Sequence, residues 1–309
     1  MKRVMPLIAL LLTAQLATAA DNPIEIGTVH WGRDLDAAQI RSAESGRPVF
    51  VLFQEVPGCS GCQEFGKTVL SHPLLVEAIE DEFLPVLVFN NRSGADAALL
   101  QRFGEPAWNF QVVRFLNAAG DDIIPRKDRV WTVGALAGRM VEALQTAKRP
   151  VPPYLEAVAS ENRVDRLAEV AFASHCFWVG ETQIGRINGV ITTEAGWLEG
   201  REVTRVIYDP SILSLQELSE RARAADSALK VYAPGDAAGV LVGFATGQLD
   251  DSYRPAGSSD QKKQLAGWST LRRVPDLTDM QITKLNAFAP ISRAKALEWL
   301  SPRQRRALE

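Results

Sequence analysis

Three cysteines in two places are the residues of this 309-residue chain that could carry redox chemistry. Cys59 and Cys62 stand one helical turn apart, where an apolar strand pattern gives way to a helix pattern. Cys176 precedes Phe177 and Trp178 at a second junction of this kind. Unpaired backbone N–H groups at the first turn of a helix favour the thiolate form of a cysteine. Both places are therefore candidate nucleophile sites.

The spacing of Cys59 and Cys62 fits more than one kind of site. In a redox pair, Cys62 would attack a mixed disulfide formed on Cys59. The same spacing fits an inert disulfide, or half of a site for zinc or another soft metal. The sequence has no second CxxC, and His30 and His72 lack the spacing of zinc ligands. We favour the redox pair and keep the other two as alternatives.

The residues around Cys176 do not settle its role by themselves. A cysteine followed by two aromatic residues is more often part of a packed core than a nucleophile. Glu202, taken alone, would be a solvated carboxylate on a strand. If two of the three cysteines form a pair, one cysteine is left unpaired. An unpaired thiol in an exported protein needs an explanation.

Composition excludes some classes of function. The 34 basic and 37 acidic residues give a net charge of −3, and no long Lys/Arg cluster provides a basis for nucleic-acid binding. With 46% hydrophobic residues, the chain has the composition of a globular protein, and its length suggests about two domains.

Residues 1–20 have the pattern of a secretory signal peptide, with two basic residues, an apolar run and small residues at the end. Cleavage is predicted after Ala19 or Ala20. No second long apolar run follows, so we expect no membrane insertion of the mature chain. The predicted destination is an oxidising compartment, most simply a bacterial periplasm, where thiol chemistry needs its own electron source.

Residues 21–147 are predicted to form an α/β domain. Apolar runs of strand length lie at 48–54 and 83–89, and a third predicted strand is followed by a turn at Gly120. Helix patterns lie between the strands, and a last helix pattern follows them. This layout, with CxxC at the start of a helix, resembles a thioredoxin-like domain. The stretch EVPGCSGCQEFGKTVLSHPLLVEAIED resembles the thioredoxin-like family that carries VPG before cysteine or selenocysteine.

A proline-rich segment, 148–153, is the predicted linker to a second domain at 154–309 with mixed helix and strand patterns. Three segments of this second domain resemble, in sequence order, the catalytic segments of peptide-methionine sulfoxide reductase, type A. They read HCFWVGETQ, GVITTEAGW and REVTRVIYDP. The resemblance implies a ferredoxin-like α+β fold, with Cys176 as the nucleophile and Glu202 as the catalytic acid.

The same resemblance implies a substrate site. Phe177 and Trp178 would form an apolar cage for the methyl group of methionine sulfoxide. Trp197 stands where the family has a tyrosine, and Tyr253 is the counterpart of a second family tyrosine; both are predicted to bind substrate. The chemistry needs a thiolate that attacks sulfur and an acid that protonates the departing oxygen. To act as that acid, Glu202 must be desolvated by aromatic walls.

Attack on a sulfoxide would leave Cys176 as a sulfenic acid, which another thiol must resolve. The sequence has no cysteine after Cys176, so the Cys59/Cys62 pair is the predicted resolving pair. A short linker would raise its effective concentration if the geometry lets the sites meet. An external thiol donor, such as a membrane thiol reductase, would then recharge the pair. No flavin, nicotinamide or metal motif is visible, and no cofactor is expected.

Two other functions remain open at this stage. The chain could be a periplasmic thiol–disulfide oxidoreductase whose second domain recognises substrates without catalysing a reaction. It could also be a non-enzymatic protein that binds copper(I) or methionine-rich partners through sulfur ligands.

Overall fold

The fold is described from a computed structural model. The structure describes residues 22–107, 111–163 and 166–309. The predicted signal peptide, residues 1–20, lies outside the described residues. Among the described residues, no helix has the length and apolar character needed to cross a membrane.

The first half of the chain contains a four-stranded sheet. Its strands are β1 (Val49–Gln54), β2 (Leu84–Phe89), β3 (Val112–Leu116) and β4 (Asp122–Asp128). The order is β2-β1-β3-β4, in which β1 and β2 are parallel and β3 is antiparallel to both of its neighbours. All six residues of β1 are buried, because helices cover both faces of the sheet.

Five of the helices that the structure describes before the proline-rich segment surround this sheet. They are α1 (Leu35–Ser45), α2 (Ser60–Thr68), α3 (Pro73–Glu82), α4 (Ala95–Phe103) and α5 (Val133–Thr146). Alternate residues of β1 enter two different cores: Phe50 packs with residues of α2, α3 and α5, whereas Val51 packs with residues of α1 and α4. The CxxC segment therefore follows the carboxyl end of a strand that is fixed on both faces.

Helix α6 (Pro153–Glu161) follows the proline-rich segment and belongs to two cores at once. Tyr154, Leu155, Val158 and Ala159 are buried in the core of the first sheet, against α3 and α5. Ala157 packs instead with residues of the second half of the chain. The predicted division into 21–147, 148–153 and 154–309 stays a prediction.

The second half contains a six-stranded sheet. Its strands are β5 (Ala168–Ala173), β6 (Val190–Leu198), β7 (Arg201–Tyr208), β8 (Lys230–Ala233), β9 (Thr246–Gln248) and β10 (Arg254–Pro255). The order is β10-β6-β7-β5-β8-β9, and only the β8–β9 pair is parallel. The described helices of this half are α7 (Phe177–Gly185), α8 (Leu215–Ala224), α9 (Asp279–Phe288), α10 (Arg293–Leu297) and α11 (Pro302–Arg306).

A tight hairpin joins β6 to β7. Glu199 and Gly200 form its two-residue turn, and both have positive φ angles of 51° and 71°. A turn of this kind matches the twist of the two strands. It places Trp197 directly opposite Glu202 in the register. Two residues that are five positions apart in the sequence thereby become neighbours at one end of the sheet.

Candidate active site

Cys176 lies at the junction that the sequence predicts, as the residue that precedes the first turn of α7. Strand β5 ends at Ala173, and the backbone of Cys176 is still extended, with φ −153° and ψ 118°. The thiol is free and half-buried. Cys176 thus borders the unpaired backbone N–H groups at the start of α7.

Glu202 is brought to the same helix end. Its Oε2 accepts a hydrogen bond of 2.8 Å from the backbone N–H of Phe177, the residue after Cys176. The backbone of Glu202 is held as well, since its carbonyl accepts a hydrogen bond of 3.1 Å from the Ser174 N–H. The carboxyl group therefore lies beside the nucleophile and satisfies one of the unpaired donors of α7.

Helix α7 can approach β7 this closely because Gly180 has no side chain. A Cβ at position 180 would lie 2.1 Å from Thr204 Oγ1, which is far inside van der Waals contact. The glycine lets the helix pack directly on the strand that carries Glu202, so it helps to set the distance between the helix end and the carboxyl group.

Three aromatic rings form one group next to Cys176. The ring centroid of Phe177 lies 5.9 Å from that of Trp178 and 5.5 Å from that of Trp197. Phe177 is buried, whereas Trp197 is 44% exposed and forms the open side of the group. The ammonium of Lys263 lies 4.7 Å from the centroid of Trp178. We call Phe177, Trp178 and Trp197 the aromatic group.

Tyr253 is not part of this arrangement. Its ring packs against Gly196, where a Cβ would lie 2.5 Å from the hydroxyl oxygen, and its hydroxyl donates to Glu194 Oε2 at 2.7 Å. Burial and this carboxylate raise the pKa of Tyr253 above its ordinary value. Successive residues of a strand point to opposite faces, so Gly196 and Trp197 face opposite ways. The structure therefore places Tyr253 on the other face of β6, away from the aromatic group.

A buried ion pair, which the sequence did not predict, joins α7 to the segment that carries Lys262 and Lys263. Glu181 of α7 is fully buried; its Oε1 lies 2.7 Å from Lys262 Nζ, and its Oε2 accepts a hydrogen bond of 3.0 Å from the Lys262 N–H. Burial raises the pKa of Glu181. This pair fastens the segment that carries Lys263 to α7. No local pattern links residues 181 and 262, so the sequence gives no signal for it.

Lys284 of α9 holds the other end of α7. It is 2% exposed, and its Nζ donates to the carbonyl oxygens of Gly185 at 2.8 Å and Ile187 at 3.0 Å. These carbonyls lie at the carboxyl end of the helix, where a positive charge is favourable. Burial nevertheless lowers the pKa of Lys284 to about 7.

Cys59 and Cys62 form the second candidate site, and their thiols differ strongly. The two Sγ atoms are 3.5 Å apart at the start of α2. Cys59 is exposed, and its pKa is lowered, first by a hydrogen bond from the Cys62 backbone N–H. Burial raises the pKa of Cys62 to about 12. This asymmetry suits Cys59 as the attacking thiol and Cys62 as the resolving thiol.

A tryptophan and a carboxylate flank this pair. A Cβ on Gly61 would lie 3.6 Å from the Trp131 ring and 3.7 Å from Cys59 Sγ, so ring and thiol both lie close to this glycine. One ligand atom each of Glu55, Cys59 and Cys62 lie within 4.8 Å of one another and could hold a metal ion. The soft-metal alternative for the pair therefore stays open.

The Cys59/Cys62 pair and Cys176 belong to different halves of the chain, at the starts of α2 and α7. The Val190–Tyr208 end of the β6–β7 hairpin, which we call the base, is the end that packs toward the first half. The Trp197–Glu202 pair and Cys176 lie at the opposite end.

Comparisons with known proteins agree with parts of this description. Residues 30–116 match a thioredoxin-like family model, which confirms the predicted fold class for the first domain, and the second half has the predicted mixture of helices and sheet. The peptide methionine sulfoxide reductase MsrA of Clostridium perfringens strain SM101 is 36% identical over 69 residues, which cover 17% of this chain and 44% of the relative.

A second relative bears the same name. The peptide methionine sulfoxide reductase MsrA of Vibrio vulnificus strain CMCP6 is 30% identical over 104 residues, 28% of this chain and 48% of the relative. The chain thus spans about half the length of the curated relatives it matches. Among solved structures, one titled DsbH oxidoreductase aligns with a TM-score of 0.32 and 15% identity over 42% of this chain and 92% of its own.

Proposed function

We propose that this protein is a thiol-dependent oxidoreductase that reduces methionine S-sulfoxide, either free or in oxidised proteins, at Cys176. One observation carries the proposal: the carboxyl group of Glu202 is hydrogen-bonded to the N–H of Phe177, directly beside Cys176 and the aromatic group. The similarity to methionine sulfoxide reductases over part of their length supports it.

The reaction needs a nucleophile, an acid and a site for a methyl thioether. The Cys176 thiolate would attack the sulfoxide sulfur, and Glu202 would protonate the sulfoxide oxygen. The resulting hydroxyl would pass from the sulfoxide sulfur to Cys176 Sγ as the temporary S–S bond breaks, with its electron pair staying on the thioether sulfur. The products are methionine and a Cys176 sulfenic acid, so the sulfoxide gains two electrons and the thiol loses two. The aromatic group offers an apolar surface for the methyl group, with Trp197 exposed enough to meet a substrate.

The sulfenic acid would then be resolved by the Cys59/Cys62 pair. Attack by Cys59 would release water and form a mixed disulfide with Cys176, and attack by Cys62 on Cys59 would release the Cys176 thiol. The lowered pKa of Cys59 and its exposure support the first of these steps. The raised pKa of Cys62 leaves Cys59 as the more readily ionised thiol of the pair, which supports Cys59 as the first to attack.

Further parts of the proposal concern the setting. We place the mature chain in a bacterial periplasm, where an external thiol donor of the membrane thiol reductase class would reduce the Cys59–Cys62 disulfide. The N-terminal sequence pattern supports this location. We also assign the first domain to thioredoxin-like proteins of the VPG type, on the sequence around Cys59.

A second candidate function rests on the Cys59/Cys62 pair alone. An exposed thiol of lowered pKa beside a buried partner is the arrangement of a general thiol–disulfide oxidoreductase. In that case the second domain would recognise partners without reducing sulfoxides.

The test is turnover of a methionine S-sulfoxide peptide with dithiothreitol as the electron donor, measured as methionine formed. Wild type should turn over and Cys176→Ser should not, while a Cys59→Ser/Cys62→Ser variant shows whether the pair is needed when dithiothreitol is present. Full turnover by Cys176→Ser would overturn the proposal. If wild type reduces insulin but not the sulfoxide peptide, the second candidate is the correct one.

A further inference from the structure

The first half of the chain is attached to the base of the second sheet. Ala157 of α6 packs with Ile191, at the start of β6, and with Met280. The side chain of Glu161 accepts a hydrogen bond from the Met280 N–H. Arg163 lies 3.8 Å from Asp209, which directly follows β7. These contacts all lie at the Val190–Tyr208 end of the hairpin.

Cys176 lies at the other end of the same strands. Glu202, which touches the residue next to Cys176, is six positions from Tyr208 on β7. At about 3.3 Å per residue this is roughly 20 Å of strand. A disulfide requires two sulfur atoms at about 2 Å. A thiol that lies at the base would have to move by about this distance to reach Cys176.

Helix α6 opposes such a movement. Tyr154 and Leu155 are 2% and 0% exposed in the first core, while Ala157 is fully buried against the second half. Since one helix of nine residues is packed into both cores, the halves cannot separate without exposing apolar side chains. Movement of the first half along the hairpin would therefore disrupt the packing of α6.

We propose that the sulfenic acid on Cys176 of one molecule is resolved by Cys59 of a second copy of this chain. This inference rests on the proposed function. The Cys59 thiolate of the second copy attacks Cys176 Sγ, the S–O bond breaks, and the oxygen leaves as water after taking a proton. Cys62 of the second copy then attacks Cys59, which returns Cys176 to the thiol and closes the Cys59–Cys62 disulfide.

The two surfaces suit each other. Cys59 is exposed beside Trp131, which is 38% exposed. The Cys176 end presents Trp197 and Val179, which are 44% and 45% exposed, so each thiol is bordered by apolar side chains. One pair of charged side chains on the two surfaces, Glu55 and Lys263, is of opposite sign.

The carboxylate near one thiol and the ammonium near the other have opposite signs. A carboxylate oxygen of Glu55 lies within 4.8 Å of the sulfur atoms of Cys59 and Cys62. The ammonium of Lys263 lies over the ring of Trp178, in the aromatic group next to Cys176. Opposite charges at the edge of a contact favour encounter of the two surfaces, and they do so most at low salt.

The dependence of Cys59–Cys62 disulfide formation on protein concentration tests this proposal. Fully reduced wild-type protein, freed of reductant, is mixed with excess methionine S-sulfoxide peptide, and free thiols are alkylated at intervals. Mass spectrometry follows the Cys59–Cys62 disulfide. Transfer between molecules predicts that a tenfold higher protein concentration gives a tenfold larger rate constant for this disulfide. A rate constant that does not depend on protein concentration would show transfer within one molecule and overturn the proposal.

A mixture of variants gives an independent result. Cys176→Ser retains the resolving pair, and Cys59→Ser/Cys62→Ser retains the nucleophile. We expect the Cys59–Cys62 disulfide to form in the Cys176→Ser chains only when both variants and the sulfoxide are present. If Cys59 and Cys62 stay free in the mixture while wild type forms the disulfide, transfer between molecules is contradicted.

A surface variant separates docking from chemistry. Trp131→Ala should slow disulfide formation at least threefold at a given protein concentration and leave dithiothreitol-driven sulfoxide reduction unchanged. Ile40→Ala, an exposed apolar position on α1, is the matched control and should change neither rate. Equal rates for Trp131→Ala and Ile40→Ala would contradict docking through the Cys59 face. If wild type forms no methionine even with dithiothreitol, the proposed function itself has failed.

Discussion

Replacing Glu202 by glutamine separates the structural role of this residue from its proposed chemical role. The amide oxygen of glutamine can still accept the hydrogen bond that the Phe177 N–H donates at 2.8 Å, so the start of α7 keeps its partner. Exchange of a carboxyl group for an amide at a helix N-terminus costs at most about 1 kcal/mol of stability. The folded population is then almost unchanged.

The effect on catalysis should be far larger. An amide cannot donate a proton to the departing oxygen, and removal of a positioned general acid lowers rates by about 100-fold to 10,000-fold. A 100-fold loss corresponds to about 2.7 kcal/mol of transition-state stabilisation. The expected result is thus a kcat at least about 100-fold lower with a free energy of unfolding within about 1 kcal/mol of wild type.

The assay is methionine formation from an S-sulfoxide peptide with dithiothreitol, together with urea denaturation of each variant. Glu169→Gln, on β5 and paired with Arg205, is the matched control and should keep the wild-type kcat. A Glu202→Gln enzyme whose kcat stays within threefold of wild type, while Cys176→Ser is inactive, would refute the role of Glu202 as the acid.

Three further predictions concern groups whose environments the structure sets. Because the pKa of Cys59 is lowered and burial raises that of Cys62 to about 12, iodoacetamide should alkylate Cys59 well before Cys62 at pH 7 to 8, and equal rates by mass spectrometry would contradict this. Lys284 has a pKa of about 7 when folded, below its ordinary value, so the unfolded chain binds the extra proton above pH 7 and stability should rise with pH between 7 and 9. The rise is at most about 1.4 kcal/mol per pH unit, and Lys284→Met should remove it from the urea denaturation profile; an unchanged profile would show that Lys284 is not its cause. Glu181→Ala leaves the ammonium of Lys262 without its buried partner and should cost about 3 kcal/mol, whereas Glu217→Ala, in a surface pair with Arg221, should cost less than about 1 kcal/mol; similar losses would refute the role assigned to burial.

The sequence was informative wherever a feature depends on neighbouring residues. The junctions at Cys59 and Cys176 follow from an apolar strand run that changes into a helix pattern, and the structure places both cysteines directly before a helix. The hairpin that sets Trp197 opposite Glu202 depends on the short Glu199-Gly200 turn, which is also local. Such features are fixed by backbone preferences within a few residues.

Other features of the site could not be predicted in this way. Tyr253 was expected at the substrate site, but β10 pairs with β6 so that the ring covers Gly196 on the opposite face. The ion pair between Glu181 and Lys262 joins residues that are far apart in the sequence. Which face a strand presents, and which distant charge meets a buried carboxylate, depend on how separate elements pack.

By itself, then, the sequence determined where the three thiols stand in their elements and which residues accompany Cys176. Only the tertiary structure decided that Cys59 is exposed and Cys62 buried, and that the first half packs on the base of the second sheet. The physical reason is that the start of a helix or strand depends on nearby residues. Burial and pKa depend instead on packing between distant elements, and the attachment of the two halves depends on α6, which packs in both cores. Because of that packing, we expect Cys176 to react with Cys59 of a second copy, although both thiol sites belong to one chain.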